Sequence, residues 1–370
     1  MPYEIQDRLE WGDLATFVPN KPLPIYNWFY YKEGFSRDLV FKLIEMFKLR
    51  KGTVLDPFCG VGTTNLACRE KGLDSIGFEL SPLALFAARV KTTDYNVSEL
   101  KDTLKAIKKI KFRKLDRSWI PSSIQRYFNT HTLDDVLLFR NLVESIEDNQ
   151  IKDFFRLGLI SSATRCSYMY KDGSVVKRKK HPIPPFRKFY HHRMKRMIRD
   201  LKKLKTKKCE TLVSRGDARK LKLGNESIDF VITSPPYLNK IEYTKIYNVE
   251  EFLFFGISGK RGVRSYIGMR TDPERIFPSL PDIANAYFSD MSQALSELYR
   301  VCKPGAKLAI VVGNGCFPDR VVESDILLSE LAEKIGFKVR NIYVLNKRWC
   351  TRQRVIKVGV LRESLLVFEK

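Results

Sequence analysis

Hydrophobic positions along the chain follow two periods. In SRDLVFKLIEMFK (36–48), Leu39, Val40, Leu43, Ile44 and Phe47 share one helical face. Short apolar runs follow, bounded by glycine, proline or an acid: GTVLD (52–56), DSIGFE (74–79), TLVS (211–214), SIDFVIT (227–233) and AKLAIVVG (306–313). Runs of that length read as buried strands. Ser81 and Pro82 are a natural N-cap and first residue for the apolar helix LALFAARV. Lys303-Pro304-Gly305 is a turn into the 306–313 strand. Helices are predicted near 282–301 and 321–335, and FKVRNIYVLN (337–346) and SLLVFEK (364–370) close the chain as strands. Strands alternating with helices predict an α/β sheet, mostly parallel.

From 92 to 208 the chain leaves this rhythm. A parallel crossover needs only about a dozen residues, so the segment reads as an insert. Helical patterns near 98–111, 132–147, 150–166 and 186–207 make it mainly helical. It also carries the charge. The whole protein has a formal net charge of +24, and 177–208 holds fifteen lysines and arginines against one acid, Asp200. Phe186, Phe189 and Tyr190 are interleaved with these cations, a composition suited to a phosphate backbone. Lys177, Arg178, Lys179, Lys180, Arg187 and Lys188 are the contacts expected first. The loop GKRGVRSYIGMR (259–270) adds Arg264 and Arg270 as candidates for reaching bases or phosphates.

The remaining composition mostly excludes. The seven cysteines are scattered with no C-x-x-C pair, and the four histidines stand at no metal-ligand spacing from them, so reduced thiols and no metal are expected. No secretory leader and no membrane-length apolar run is visible, which predicts a soluble, cytoplasmic protein.

Candidate chemistry begins at DPFCGVGTT (56–64), where Gly60 and Gly62 follow a strand and precede a helix. Glycines there allow a tight turn and close approach of backbone to a ligand. The loop lacks the third glycine of a dinucleotide site and the Gly-Lys-Ser/Thr of a phosphate loop. Glu79, about twenty residues on at the next strand end, is placed to bind a ribose diol. Asp217 follows another strand. Asp56, Glu79 and Asp217 would then line one edge of the sheet, the edge where open α/β sheets bind ligands.

Together VLDPFCGVGTT, GFELSP, GDA and SPPY resemble the blocks of S-adenosylmethionine-dependent DNA amino-methyltransferases of the cytosine-N4 and adenine-N6 kind. WFYYKEGFSRDLV (28–40), CKPGAKLAIVVGN and ESLLVFEK resemble flanking blocks of the same family, so the likeness covers roughly 25–90 and 211–370. It implies a Rossmann-like class I methyltransferase sheet with an antiparallel C-terminal strand. Residues 1–91 would be the cofactor-binding half, 92–208 the inserted basic subdomain for DNA, and 209–370 the catalytic half. It implies S-adenosylmethionine as cofactor. Asp56, Pro57, Phe58, Gly60, Gly62 and Thr63 would shape the methionine side, with Phe35 and Ser36 closing over it. Glu79 and Leu80 would hold the ribose, and Asp217 and Ala218 the adenine. It implies double-stranded DNA as partner, a cognate restriction endonuclease in a restriction–modification setting, and a nucleoid-associated monomer or dimer of a prokaryote or phage. The cofactor blocks precede the SPPY block, whereas many cytosine-N4 enzymes resemble the reverse, permuted order.

The SPPY block explains two adjacent prolines at the mouth of a strand. The exocyclic amine of a base is a poor nucleophile because its lone pair is delocalised into the ring. Acceptors aimed at its N–H bonds free that pair and stabilise the positive charge that develops. Ser234 offers a hydroxyl. Pro235 offers a carbonyl, lacks an N–H, and holds Ser234 extended. Pro236 stiffens the turn, and Tyr237 offers a face on which an extruded base can stack. Serine in the first position resembles the cytosine-N4 subgroup and aspartate the adenine-N6 one, though some serine enzymes methylate adenine. No Pro-Cys nucleophile of the cytosine-C5 kind is present. The other readings are adenine-N6 DNA methylation, RNA methylation, and a basic nucleic-acid-binding protein that has lost activity.

Overall fold

The computed structural model describes residues 3–172, 175–238, 246–257, 267–269, 273–352 and 356–370. In chain order the main elements are β1 (Ile5–Asp7), α1 (Arg37–Met46), β2 (Thr53–Asp56), α2 (Thr63–Lys71), β3 (Asp74–Glu79) and α3 (Pro82–Thr92). The segment expected as an insert follows, with α4 (Val97–Lys108), α5 (Ser122–Gln125), α6 (Thr130–Glu144), α7 (Asn149–Arg165), β4 (Met169–Asp172), β5 (Val175–Arg178) and α8 (Phe186–Lys203). The chain then forms β6 (Thr211–Arg215), β7 (Ile228–Thr233), α9 (Asn248–Phe255), α10 (Asp282–Val301), β8 (Cys302–Gly313), β9 (Gly315–Cys316), β10 (Val321–Val322), α11 (Ser324–Ile335), β11 (Lys338–Arg352) and β12 (Ile356–Glu369).

The described strands build an eight-stranded sheet ordered β1-β11-β12-β8-β7-β2-β3-β6. All neighbours are parallel except at β12, which runs antiparallel to both β8 and β11. This is the Rossmann-like methyltransferase sheet expected from the sequence. Strand order reverses between β2 and β7, so the chain leaves their carboxyl ends in opposite directions and opens a crevice there.

Local chemistry sets the helix starts. The Ser36 side chain accepts from the Leu39 N–H at the head of α1, and the Ser81 side chain caps α3 ahead of Pro82. Gly62 caps α2 with φ +77°, and a Cβ there would stand 3.0 Å from the Ala88 Cβ of α3. That glycine lets α2 and α3 pack side by side behind the crevice.

The 92–208 segment shares one apolar core with the N-terminal block. Trp28, Val61, Leu66 and Ala84 join Leu100, Phe154, Tyr190 and Met197 in it. The Trp28 indole donates to Asp200 of α8 at 3.1 Å and meets the Phe154 ring edge-on. Phe186 and Tyr190, expected on the basic face, are instead buried, stacked on one another and edge-on to Phe139. Helical periodicity buries every third or fourth residue of α8, and these aromatics fall on that stripe. The β4–β5 hairpin was not foreseen, because its strands are too short and polar for a pattern to mark them.

The cysteine reading also changes. Cys316 and Cys350 form a disulfide joining β9 to β11, while Cys59, Cys68, Cys166, Cys209 and Cys302 stay free. The paired residues stand 34 apart in sequence, and only strand pairing brings them together. Among the described residues no helix is long and apolar enough to cross a membrane, and no cluster of three or more His, Cys, Asp or Glu is placed to hold a metal.

Candidate active site

A cleft opens at the carboxyl ends of β2, β3, β6 and β7. Of the residues expected around a cofactor, Phe35, Asp56, Pro57, Phe58, Gly60, Thr63, Glu79, Leu80, Asp217 and Ala218 line it. Ser234 and Pro236 line it as well, so the fourth strand's Ser-Pro-Pro turn and the glycine loop share one cavity. Pro235 is buried between its neighbours.

Four expected residues lie outside the lining. Ser36 is fully buried, its hydroxyl donating to the Leu14 carbonyl while capping α1. Gly62 lies behind the cleft against α3. Pro235 contributes no lining. The Tyr237 ring packs on the apolar cluster around α1, and its hydroxyl donates to Glu363 at 2.8 Å.

The acids at the three strand ends are not equivalent. Asp56 is buried and saturated: Oδ1 accepts from the Thr233 hydroxyl at 2.6 Å and the Phe58 N–H at 3.2 Å, and Oδ2 from the Thr64 hydroxyl at 2.7 Å. Burial pushes its pKa up to about 6 against those hydrogen bonds. Asp56 therefore holds the glycine loop onto β7. Glu79 accepts from the Leu80 and Ser81 N–H groups through Oε1, and from Gly60 through Oε2 at 3.0 Å. Burial raises its pKa as well. Asp217 is held by Arg219, whose other guanidinium nitrogen reaches the fully buried Asp290 at 2.9 Å.

The lining also contains residues that the sequence reading passed over. Tyr31 stacks on Tyr247 with ring centroids 5.6 Å apart. Glu33 accepts from the Tyr247 hydroxyl at 2.9 Å, and burial raises its pKa. Both sit inside the quoted 28–40 block, and an aromatic–acid cluster just ahead of Phe35 was the available signal. With Glu33, the cleft holds four carboxylates, and no lysine, arginine or histidine lines it among the described residues. In a chain of net charge +24, that contrast selects for a cation and against a phosphate-bearing ligand.

S-adenosylmethionine fits this donor set: a sulfonium cation, a diol for a fixed carboxylate, and a flat base. Gly60, at φ +50°, brings backbone to the cleft where a Cβ would crowd the Tyr31 ring at 3.2 Å.

The expected nucleic-acid contacts separate on inspection. Lys180 and Lys188 are exposed. Lys177 pairs with Asp172, Arg178 donates to the Arg126 carbonyl, and Lys179 lies over the Tyr170 ring. Arg187 is a structural cation, bound to Asp135 at 2.7 Å and to the Ile110 carbonyl at 2.8 Å. Arg264 and Arg270 fall outside the described residues.

Comparison with known proteins agrees with this architecture. The N6/N4 DNA methylase family model matches residues 17–88. The type II methyltransferase M.BsoBI of Geobacillus stearothermophilus is 28% identical over 96% of this chain and 88% of its own. M.AvaI of Nostoc sp. is 27% identical over 90% of this chain and 83% of its own. M.MjaII of Methanocaldococcus jannaschii is 40% identical over 17% of this chain and 13% of its own. An acid-lined crevice at the switch point, a Ser-Pro-Pro-Tyr turn beside it and these matches together support an S-adenosylmethionine-dependent DNA methyltransferase similar to the N6/N4 DNA methylase family.

Proposed function

We propose that the protein transfers a methyl group to the N4 amine of cytosine in duplex DNA, as the modification enzyme of a type II restriction–modification system with a cognate endonuclease. The observation that carries this reading is the shared cavity: Ser234 and Pro236 open into the same cleft as four carboxylates, with no lysine, arginine or histidine among the described lining residues. The serine at the head of the turn is the basis for choosing cytosine N4 over adenine N6.

When bound, S-adenosylmethionine supplies a sulfonium methyl and leaves as S-adenosylhomocysteine. The Glu79 carboxylate, held by three backbone N–H groups, would accept from the ribose hydroxyls. Asp217, with the Ala218 backbone, receives the adenine, and the Arg219 pairing keeps its carboxylate in place. Tyr31 and Phe35 close the apolar side. Ser234 and the Pro235 carbonyl accept the two N–H bonds of the target amine, drawing its lone pair out of the ring and toward the methyl. The base reaches them by leaving the duplex. The exposed cations of 177–208, Lys180 and Lys188 among them, follow the phosphate backbone.

The test is methyl transfer from labelled S-adenosylmethionine to duplex DNA of mixed sequence, with RNA as competitor. Label in DNA that RNA does not suppress supports the reading; label confined to RNA, or none, overturns it.

A further inference from the structure

The last two strands run well past the sheet they belong to. The final β12–β8 pair is Glu363 with Gly313, at the carboxyl end of β8, while β12 begins at Ile356. Since β12 is antiparallel to β8, residues 356–362 and their β11 partners extend beyond the carboxyl edge of the sheet by about 20 Å. That edge holds the cleft and Ser234. The sequence patterns at 337–346 and 364–370 end where this arm begins, because an arm with no core on one face carries no apolar alternation.

The two faces of the arm differ. Cys350 and Gly359 are partners on one face, which the Cys316 disulfide and Val321 cover from β9 and β10. Trp349, Thr351, Lys357 and Val360 share the other face and are exposed, with the Lys357 ammonium 4.4 Å from the Trp349 ring centroid. Trp349 is 54% exposed. Arg348, next to it in the strand, is also exposed but stands on the opposite face, paired with Leu361 across the ribbon. From Asn346 to Arg362 the chain has six basic residues and no acid. The root is rigid: Tyr237 donates to Glu363, and Arg362 makes two hydrogen bonds to the buried Asp325.

We propose that this arm is a DNA-contacting β-ribbon, with Arg348 and Lys357 on phosphates and Trp349 against the groove wall next to the extruded base. The inference rests on the DNA methyltransferase reading. Charge decides the partner: Lys347 pairs with Asp7 and Arg362 with Glu323 and Asp325 at the root, while the exposed Arg348 and Lys357 further out complement a polyanion, and ribbons of two strands fit a DNA groove. The Glu363–Tyr237 contact places the ribbon's root on the same turn that presents Ser234.

The test is the double variant Arg348→Ala/Lys357→Ala, with Trp349→Ala alongside. Duplex affinity is measured by anisotropy over a salt series, and cofactor affinity by calorimetry. Near physiological salt the double variant is expected to bind duplex roughly tenfold more weakly, and the slope of log K against log salt to become shallower by about 2. KM for DNA should rise, with kcat at saturating DNA and cofactor affinity unchanged. Arg348→Gln/Lys357→Gln, which keeps much of each stem, should repeat the slope change. A double variant with wild-type duplex affinity and slope overturns the proposal and leaves the open face to a protein partner. A wild-type chain that neither binds nor methylates duplex overturns the underlying reading, a distinct result.

Discussion

Ser234 and Glu79 illustrate how one cleft divides its work between residues. If Ser234 acts on the developing charge, as proposed, Ser234→Ala should lower kcat by about 100-fold or more, with the calorimetric cofactor Kd changed less than about twofold. Parallel loss of both would assign the serine to cofactor binding instead. Glu79→Gln should do the reverse, weakening cofactor binding more than it slows the bound complex. The cleft acids also set a pH dependence. Burial pushes the Asp56 pKa up to about 6 and raises those of Glu79 and Glu33 as well. A bound cation favours their ionised forms, so binding releases protons, and cofactor affinity should fall as pH is lowered through 6. Calorimetry at pH 5 and 7.5 reads this directly; affinity independent of pH would mean that the acids do not face the positive charge.

The elements that place these residues were legible where pattern is local. The α1 stripe, the Ser81-Pro82 start of α3 and the strands ending at Asp56, Glu79 and Thr233 are written in short windows of sequence. What escaped depends on partners distant in the chain. Arg187 reads as a surface cation until Asp135, 52 residues upstream, is packed against it, and Ser36 reads as a cleft residue until its cap is seen. The Gly62 contact is of the same kind. Gly62→Ala should destabilise by roughly 1–2 kcal/mol from the left-handed backbone alone, and more from crowding Ala88. Lys91 of α3 gives an independent check on this packing. It is fully buried, with the Phe29 carbonyl as its hydrogen-bond partner among the described residues, and burial pushes its pKa from 10.5 down to about 7. Between those values the unfolded chain binds more protons than the folded one, so the Lys91 contribution to stability rises with pH, by at most about 1.4 kcal/mol per unit. Wild type should therefore gain stability relative to Lys91→Met as pH rises from 7 to 9.5, measured by denaturant unfolding; a constant difference would place the amine in water.

At the scale of the whole molecule, charge is sorted rather than spread. A chain of +24 gathers acids at its cleft and leaves cations on the 177–208 surface and the β11–β12 arm. Composition alone indicated a polyanionic partner, and the resemblance of the blocks indicated the chemistry. Only the sheet register revealed that the C-terminal hairpin overhangs the catalytic edge, since that depends on where β8 stops. The Tyr237–Glu363 hydrogen bond links the proposed catalytic turn to the root of the proposed ribbon. The most direct measurement is nucleoside identification. Duplex DNA is incubated with the protein and methyl-labelled S-adenosylmethionine, digested to nucleosides and separated by chromatography. The expected result is label in N4-methylcytosine alone, abolished by Ser234→Ala; label in N6-methyladenine or 5-methylcytosine, or none in DNA, would contradict it.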